Sequence, residues 1–165
     1  FADDFDWMER QARIISSWGE NVYVKIPIVN TKDEFCYQVI EKLLNDKVKV
    51  NATAITVISQ FGGFPIQTTP LIASYFAGRV ADTGEDPVKS IKEIKEVFIN
   101  GELLWASTRE VLNIYQAEQA GADIITCTPE LLEKYEKFKG MNLDELSLMT
   151  VKQFYDDAQV SGFKL

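Results

Sequence analysis

Val22-Tyr23-Val24-Lys25-Ile26-Pro27-Ile28 carries an aliphatic residue at every second position, with Tyr23 and Lys25 between them. Side chains alternate along a strand, so Val22, Val24, Ile26 and Ile28 share one face and Tyr23 and Lys25 the other. Val48-Lys49-Val50-Asn51-Ala52-Thr53-Ala54 repeats the division, with Val50, Ala52 and Ala54 set against Asn51 and Thr53. Between these strands Phe35, Cys36, Val39, Ile40, Leu43 and Leu44 recur at helical spacing, and Thr31 with Glu34 has the spacing of a capping box. Strand, helix and strand over this length form a parallel crossover. In a barrel the aliphatic faces would pack on surrounding helices, and Lys25 would point inward.

The alternation continues on both sides. Phe5, Met8, Ala12 and Ile15 predict a helix from about Asp3 to Trp18, stopped at Gly19. Thr56 to Pro70 reads as a short helix followed by a loop containing glycine and proline. Leu71 to Val80 reads as a third strand, and Asp86-Pro87 caps a helix through Val88, Ile91, Ile94 and Phe98. Leu103 to Ala106 is a fourth strand, after which Ser107 and Glu110 repeat the capping-box spacing at the head of a helix ending at Gly121. Ile124 to Cys127 is a fifth. Thr128-Pro129 opens a helix carrying Leu132, Tyr135 and Phe138, and Val151 to Ala158 forms a last short helix.

Five strands with intervening helices predict a mainly parallel α/β sheet, either a barrel or an open doubly wound sheet. Neither Gly-x-Gly-x-x-Gly nor Gly-x-x-x-x-Gly-Lys-Ser/Thr occurs, so a dinucleotide or P-loop site has no support. A complete (β/α)8 TIM barrel needs about 250 residues. These 165 residues open on a helix with no strand before it. The expectation is a TIM barrel lacking its first three strand-helix units in the sequence as given. It would be one partial domain over residues 1–165, with a helical tail from about 141 to 165.

A hydrophobic content of 46% is enough to build one globular core. The 25 acidic residues outnumber the 17 basic ones and give a net charge of -8, which opposes binding to a phosphate backbone, so no nucleic acid is expected as partner. Apolar runs stop well short of the roughly 20 residues needed to cross a bilayer, so no membrane is expected either. Histidine is absent, which removes Ser-His and Cys-His pairs and every His-ligated metal site. Two cysteines, Cys36 and Cys127, are too few for a four-thiolate zinc site or a disulfide framework, and read as reduced core thiols of a cytoplasmic protein. No metal ligand is assigned, and covalent chemistry falls to Lys, Ser, Thr or a carboxylate.

Lys25 is the leading candidate. Taking a lysine out of water disfavours its ammonium form and leaves more of the neutral amine that attacks a carbonyl, the requirement for a Schiff base. The alternative is a lysine guarding an edge strand against aggregation. Asn51 and Thr53 could serve a polyol or an activated water, or could be satisfied residues of a barrel layer. Arg79 and Arg109 fall at predicted C-terminal strand ends, where barrel active sites lie, although Asp82 and Glu110 stand close enough in sequence for surface ion pairs.

Four motifs then converge. Val-Lys-Ile-Pro around Lys25, Asn-Ala-Thr at Asn51 to Thr53, Ser-Tyr-Phe-Ala-Gly-Arg at Ser74 to Arg79 and Ala-Ser-Thr-Arg at Ala106 to Arg109 resemble, in order and spacing, the transaldolases. They are most similar to the small transaldolases related to fructose-6-phosphate aldolase. The resemblance extends to the Thr150 to Tyr155 tail and implies a class I enzyme without cofactor that holds dihydroxyacetone on a lysine. It would transfer that unit between sugar phosphates in the pentose phosphate pathway, with fructose 6-phosphate the expected donor.

The resemblance implies Lys25 as the Schiff-base lysine and Thr53 as a holder of the proton-relaying water. Asn51, Ser74 and Phe76 would line the sugar site, and Arg79, Ser107 and Arg109 would bind the phosphate. Ser107, at a predicted helix N-terminus, suits an anion. The family's Asp, Asn and Glu or Gln of the first three strands would precede Phe1, and Phe1-Ala2-Asp3 resembles the stretch just after the third. Thr108 stands where a Phe is common, and Phe76 where some aldolases have Tyr, leaving transfer and simple aldol cleavage both open. Fructose-6-phosphate aldolase, or a noncatalytic phosphate-binding fragment or subunit of a split barrel, is the alternative. A homo-oligomer is expected, with the tail packing on its own barrel or on a neighbour.

Overall fold

The computed structural model describes residues 2–65 and 69–162. The expectations that touch Phe1, positions 66–68 of the predicted loop and positions 163–165 of the tail lie outside the described residues. The chain divides into two compact units, Phe1–Thr128 and Pro129–Leu165.

The first unit opens with α1 (Phe5–Ser16), whose N-cap Asp4 accepts hydrogen bonds from the Asp6 and Trp7 N–H groups. It continues through β1 (Val24–Pro27), α2 (Tyr37–Asn45), β2 (Val50–Ile55), a 3-10 turn (Ile58–Phe61) and β3 (Leu71–Tyr75). After these come α3 (Ala77–Ala81), α4 (Pro87–Val97), β4 (Glu102–Trp105), α5 (Leu112–Ala120) and β5 (Ile124–Ile125). The five strands are parallel and lie in sequential order. Val24, Ile26, Val50, Ala52, Leu71, Ala73, Leu103 and Trp105 join Met8, Ala12, Ile40, Leu43, Leu44, Ile91 and Ile94 of the helices in one core. The other face carries a small separate cluster of Ile72, Leu104 and Ala106 with Tyr23, Phe76 and Ile124. Helices on one face only are not the arrangement of a doubly wound sheet. Burying each aliphatic side chain in the larger core stabilises by about 1.5–3 kcal/mol.

Several local expectations change. Thr31 and Glu34 form no capping box: the Thr31 N–H and hydroxyl donate to the Asp3 carboxylate at 2.7 and 2.6 Å. Asn30 instead closes the 30–34 turn, its Oδ1 accepting from the Lys32 and Glu34 N–H groups, while Val29 and Phe35 form an antiparallel bridge. α2 therefore starts at Tyr37, with no side-chain cap. The third strand stops at Tyr75, and the end of the predicted strand, Ala77 to Val80, belongs to the helix Ala77–Ala81. β3 is buried on both faces, and a continuous apolar run has no periodicity to mark its end. In β2 the register with β3 slips between Ala52 and Ile55, with Ala54 at φ 61°. Ala54 is consequently exposed, and Ile55 takes the core position expected of it.

The second unit holds α6 (Pro129–Phe138) and α7 (Leu143–Val160). α7 is far longer than the predicted Val151 to Ala158 helix, and Asn142 caps it through the Asp144 N–H at 2.9 Å. Among the described residues no helix is long and apolar enough to cross a membrane.

Candidate active site

Alternation along β1 puts Lys25 on the face opposite Val24 and Ile26, away from the helices. Parallel pairing sets Lys25 beside Asn51, and Asn51 beside Ile72. Ser74, two residues further along β3, pairs with Leu104. The Ser74 hydroxyl donates to Asn51 Oδ1 at 2.7 Å, and both residues are buried, at 0% and 6% exposure. Asn51 is thus a hydrogen-bonded layer residue on the same face as Lys25. Thr53 is half-buried and directly precedes the bulge at Ala54. Lys25 itself is exposed. It also borders a cavity of about 240 Å³ with Ala2, Met8, Gln11, Ala12 and Ile15 of the α1 region, a wall that neither Asn51 nor Ser74 joins.

The arginine end is built by a close backbone approach. A Cβ on buried Gly78 would lie 1.7 Å from the Ser107 carbonyl oxygen and 3.2 Å from Arg109 Cγ. Only a residue without a side chain lets α3 and the loop after β4 touch in this way. The Gly78 N–H donates to the Ala106 carbonyl at 3.3 Å across the same contact. Arg109 reaches Asp82 at 2.9 Å, and the Arg79 guanidinium lies 5.7 Å from the Phe76 ring centroid. Both arginines are exposed.

Neither of the ion pairs anticipated from sequence neighbours, Arg79 with Asp82 or Arg109 with Glu110, is the one that forms around Asp82. Arg79 belongs to the short helix after β3 and not to a strand end. Ser107 is not at a helix N-terminus, because α5 begins at Leu112 and Ser107 sits in the preceding loop at φ 64°. The Thr108 hydroxyl donates to the Thr126 carbonyl at 2.6 Å.

A lysine level with a buried Asn-Ser pair, and an Arg-Ser-Arg set gathered beyond the strand ends, keep the four sequence motifs in one spatial order. The model of the family described as Transaldolase/Fructose-6-phosphate aldolase matches residues 1–164. The chain belongs to this family. Probable transaldolase 2 of Listeria monocytogenes is 34% identical over 133 residues, covering 78% of this chain and 59% of the relative. The probable transaldolase of Nitrosopumilus maritimus is 29% identical over 136 residues, with 79% and 59% covered. That of Methanococcus maripaludis strain C5 is 33% identical over 138 residues, with 79% and 60% covered. The chain thus spans about three-fifths of the length of the curated relatives it matches.

Three residues of this family member's site region escaped the sequence reading. Gly78 had a signal, since a glycine inside a predicted strand often marks a close approach of another backbone. Asp82 as the partner of Arg109 had none, because the two lie 27 residues apart. Asn113 was hidden by the misplaced helix start: its Oδ1 accepts from the Arg109 and Glu110 N–H groups at 2.9 and 3.1 Å.

Proposed function

We propose that this chain is the part of a Schiff-base transaldolase that carries the nucleophile and the phosphate-binding end. The observation that carries the reading is the shared sheet face: Lys25 in register with Asn51, Asn51 bonded to Ser74, and the Arg79, Ser107 and Arg109 segments meeting at Gly78. Sequential parallel strands with helices on one face also support a singly wound (β/α)8 barrel, of which these would be five strands.

In this reading the Lys25 amine attacks the C2 carbonyl of a ketose phosphate, and loss of water gives an iminium. The iminium draws electrons as the C3–C4 bond breaks and the C4 hydroxyl gives up its proton to a base, releasing an aldose phosphate. The dihydroxyacetone unit stays on Lys25 as the enamine until C3 adds to an acceptor aldehyde or takes a proton, after which water hydrolyses the iminium and frees the amine. Asn51 Oδ1 accepts from Ser74, and its Nδ2 would contact a substrate hydroxyl. Thr53 would hold the relaying water. Arg79, Ser107 and Arg109 would take the phosphate, with the dianion displacing Asp82 from Arg109.

Borohydride reduction in the presence of fructose 6-phosphate or dihydroxyacetone tests this reading. A covalent adduct on Lys25, abolished by Lys25→Met, is the expected result. Stoichiometric trapping on Lys49, which here donates to the Glu20 carbonyl at 2.6 Å, would overturn it. The exposure of Lys25 favours a second reading, a noncatalytic phosphate-binding subunit. Phosphate binding that depends on Arg109, with no trapping at any lysine, is its signature.

A further inference from the structure

Asn113 lies in the first turn of α5 and is only 6% exposed. A buried amide needs partners, and this one spends them on the loop before its own helix. Besides the bonds from the Arg109 and Glu110 N–H groups, Asn113 Nδ2 donates to Gln116 Oε1 at 2.9 Å, and the Asn113 N–H donates to the Glu110 carbonyl at 3.0 Å. Gly78 meets the same loop at the Ser107 carbonyl and at Arg109 Cγ. Ser107 itself has φ at 64°, a conformation that a residue with a side chain keeps only where its surroundings over-determine it.

We infer that Asn113 is a positioning residue for anion binding: by holding the main chain at Arg109 it fixes the point from which that guanidinium reaches a phosphate. The inference rests on the reading of Arg79, Ser107 and Arg109 as a phosphate-binding set. Arg109 is long and half-exposed, and its tip already stands beside Asp82. With its origin clamped, the main chain of the loop need not be ordered when a phosphate arrives, which is the advantage of a preorganised site. Without the clamp the loop would share its conformations with solvent, and the arginine would lose its fixed approach.

The test is titration of the full chain with inorganic phosphate in a cycle of four proteins: the unsubstituted chain, Arg109→Ala, Asn113→Ala and the double variant. Asn113→Ala is expected to weaken binding by about tenfold, and by less than about twofold when Arg109 is already Ala, because neighbours acting through one another are not additive. An unchanged affinity in Asn113→Ala, or an equal loss in both backgrounds, overturns the role of Asn113 and leaves the phosphate set standing. No loss in Arg109→Ala overturns the phosphate set and the inference with it. Should Asn113→Ala fail to fold, Gln116→Ala goes through the same cycle, and absence of any Arg109-dependent loss there overturns the inference. In the unsubstituted chain the Arg109 and Glu110 amides should exchange slowly with solvent. Exchange at unprotected rates would equally overturn it.

Discussion

Gly78→Ala sets two effects of opposite sign against each other at one position. Gly78 is the second residue of α3, where replacing glycine by alanine ordinarily stabilises a helix by about 0.8–1 kcal/mol. The structure predicts the reverse. The new methyl would lie 1.7 Å from the Ser107 carbonyl oxygen and 2.8 Å from its carbon, and both are backbone atoms that cannot rotate away. Relief requires the loop after β4 to retreat by roughly 1.7–2.3 Å to reach ordinary contact distance. Overpacking costs about 1–3 kcal/mol, and a clash with backbone belongs at the upper end, so a net loss of about 2 kcal/mol remains after the helix gain. For a chain of this length that is a fall of roughly 4–8 °C in Tm. Urea or thermal unfolding followed by far-ultraviolet circular dichroism measures it, and phosphate titration should show weaker binding because Ser107 and Arg109 ride on the displaced loop. A raised midpoint, as helix propensity alone dictates, would refute the contact between α3 and this loop.

Two further outcomes follow from titratable groups of the core and its margin. Burial, reinforced by Asp3 and Glu34, pushes the Cys36 thiol up to about 11, so a thiol reagent at pH 8 should leave Cys36 unmodified until the chain is unfolded. Burial by itself would raise the Asp123 carboxyl, but hydrogen bonds from Lys95 and from the Leu103 N–H outweigh it and hold the group below its usual 3.8. A depressed carboxylate contributes stability above that value and loses it as pH falls through the lower folded value. The stability difference between the unsubstituted chain and Asp123→Asn should therefore be full at neutral pH and shrink below about pH 4. A difference independent of pH would count against the ion pair.

Much of the fold could be read directly because it depended on local patterning. The stripe on α2, the Asp86-Pro87 start of α4 and the Gly121 stop of α5, at φ 79°, involve neighbours within one or two turns. The Thr31-Glu34 spacing misled because a side chain that can cap a helix can also bond to a distant group, and Thr31 bonds to Asp3, 28 residues away; the Ser107-Glu110 spacing misled because α5 begins only at Leu112. A helical tail from about 141 to 165 was expected, but its apolar positions marked a helix only over Val151 to Ala158; none of the residues of α7 is buried, so it carries no sharp apolar stripe to show its full length.

The sequence by itself determined which side chains share a strand face, and with that the grouping of Lys25 and Asn51, because a period of two leaves no other choice. It also determined the family, through four motifs whose spacing survives in the fold. Tertiary structure decided what no local period encodes: the bulge that exposes Ala54, the bond from Ser74 to Asn51 across two strands, and the pairing of Arg109 with Asp82. Above all it decided that Gly78 meets the Ser107–Arg109 loop. These residues are far apart in the chain, and their contact exists only once the sheet has brought the ends of β3 and β4 side by side, whereas the Asn113 bonds to Arg109 and Glu110 are local.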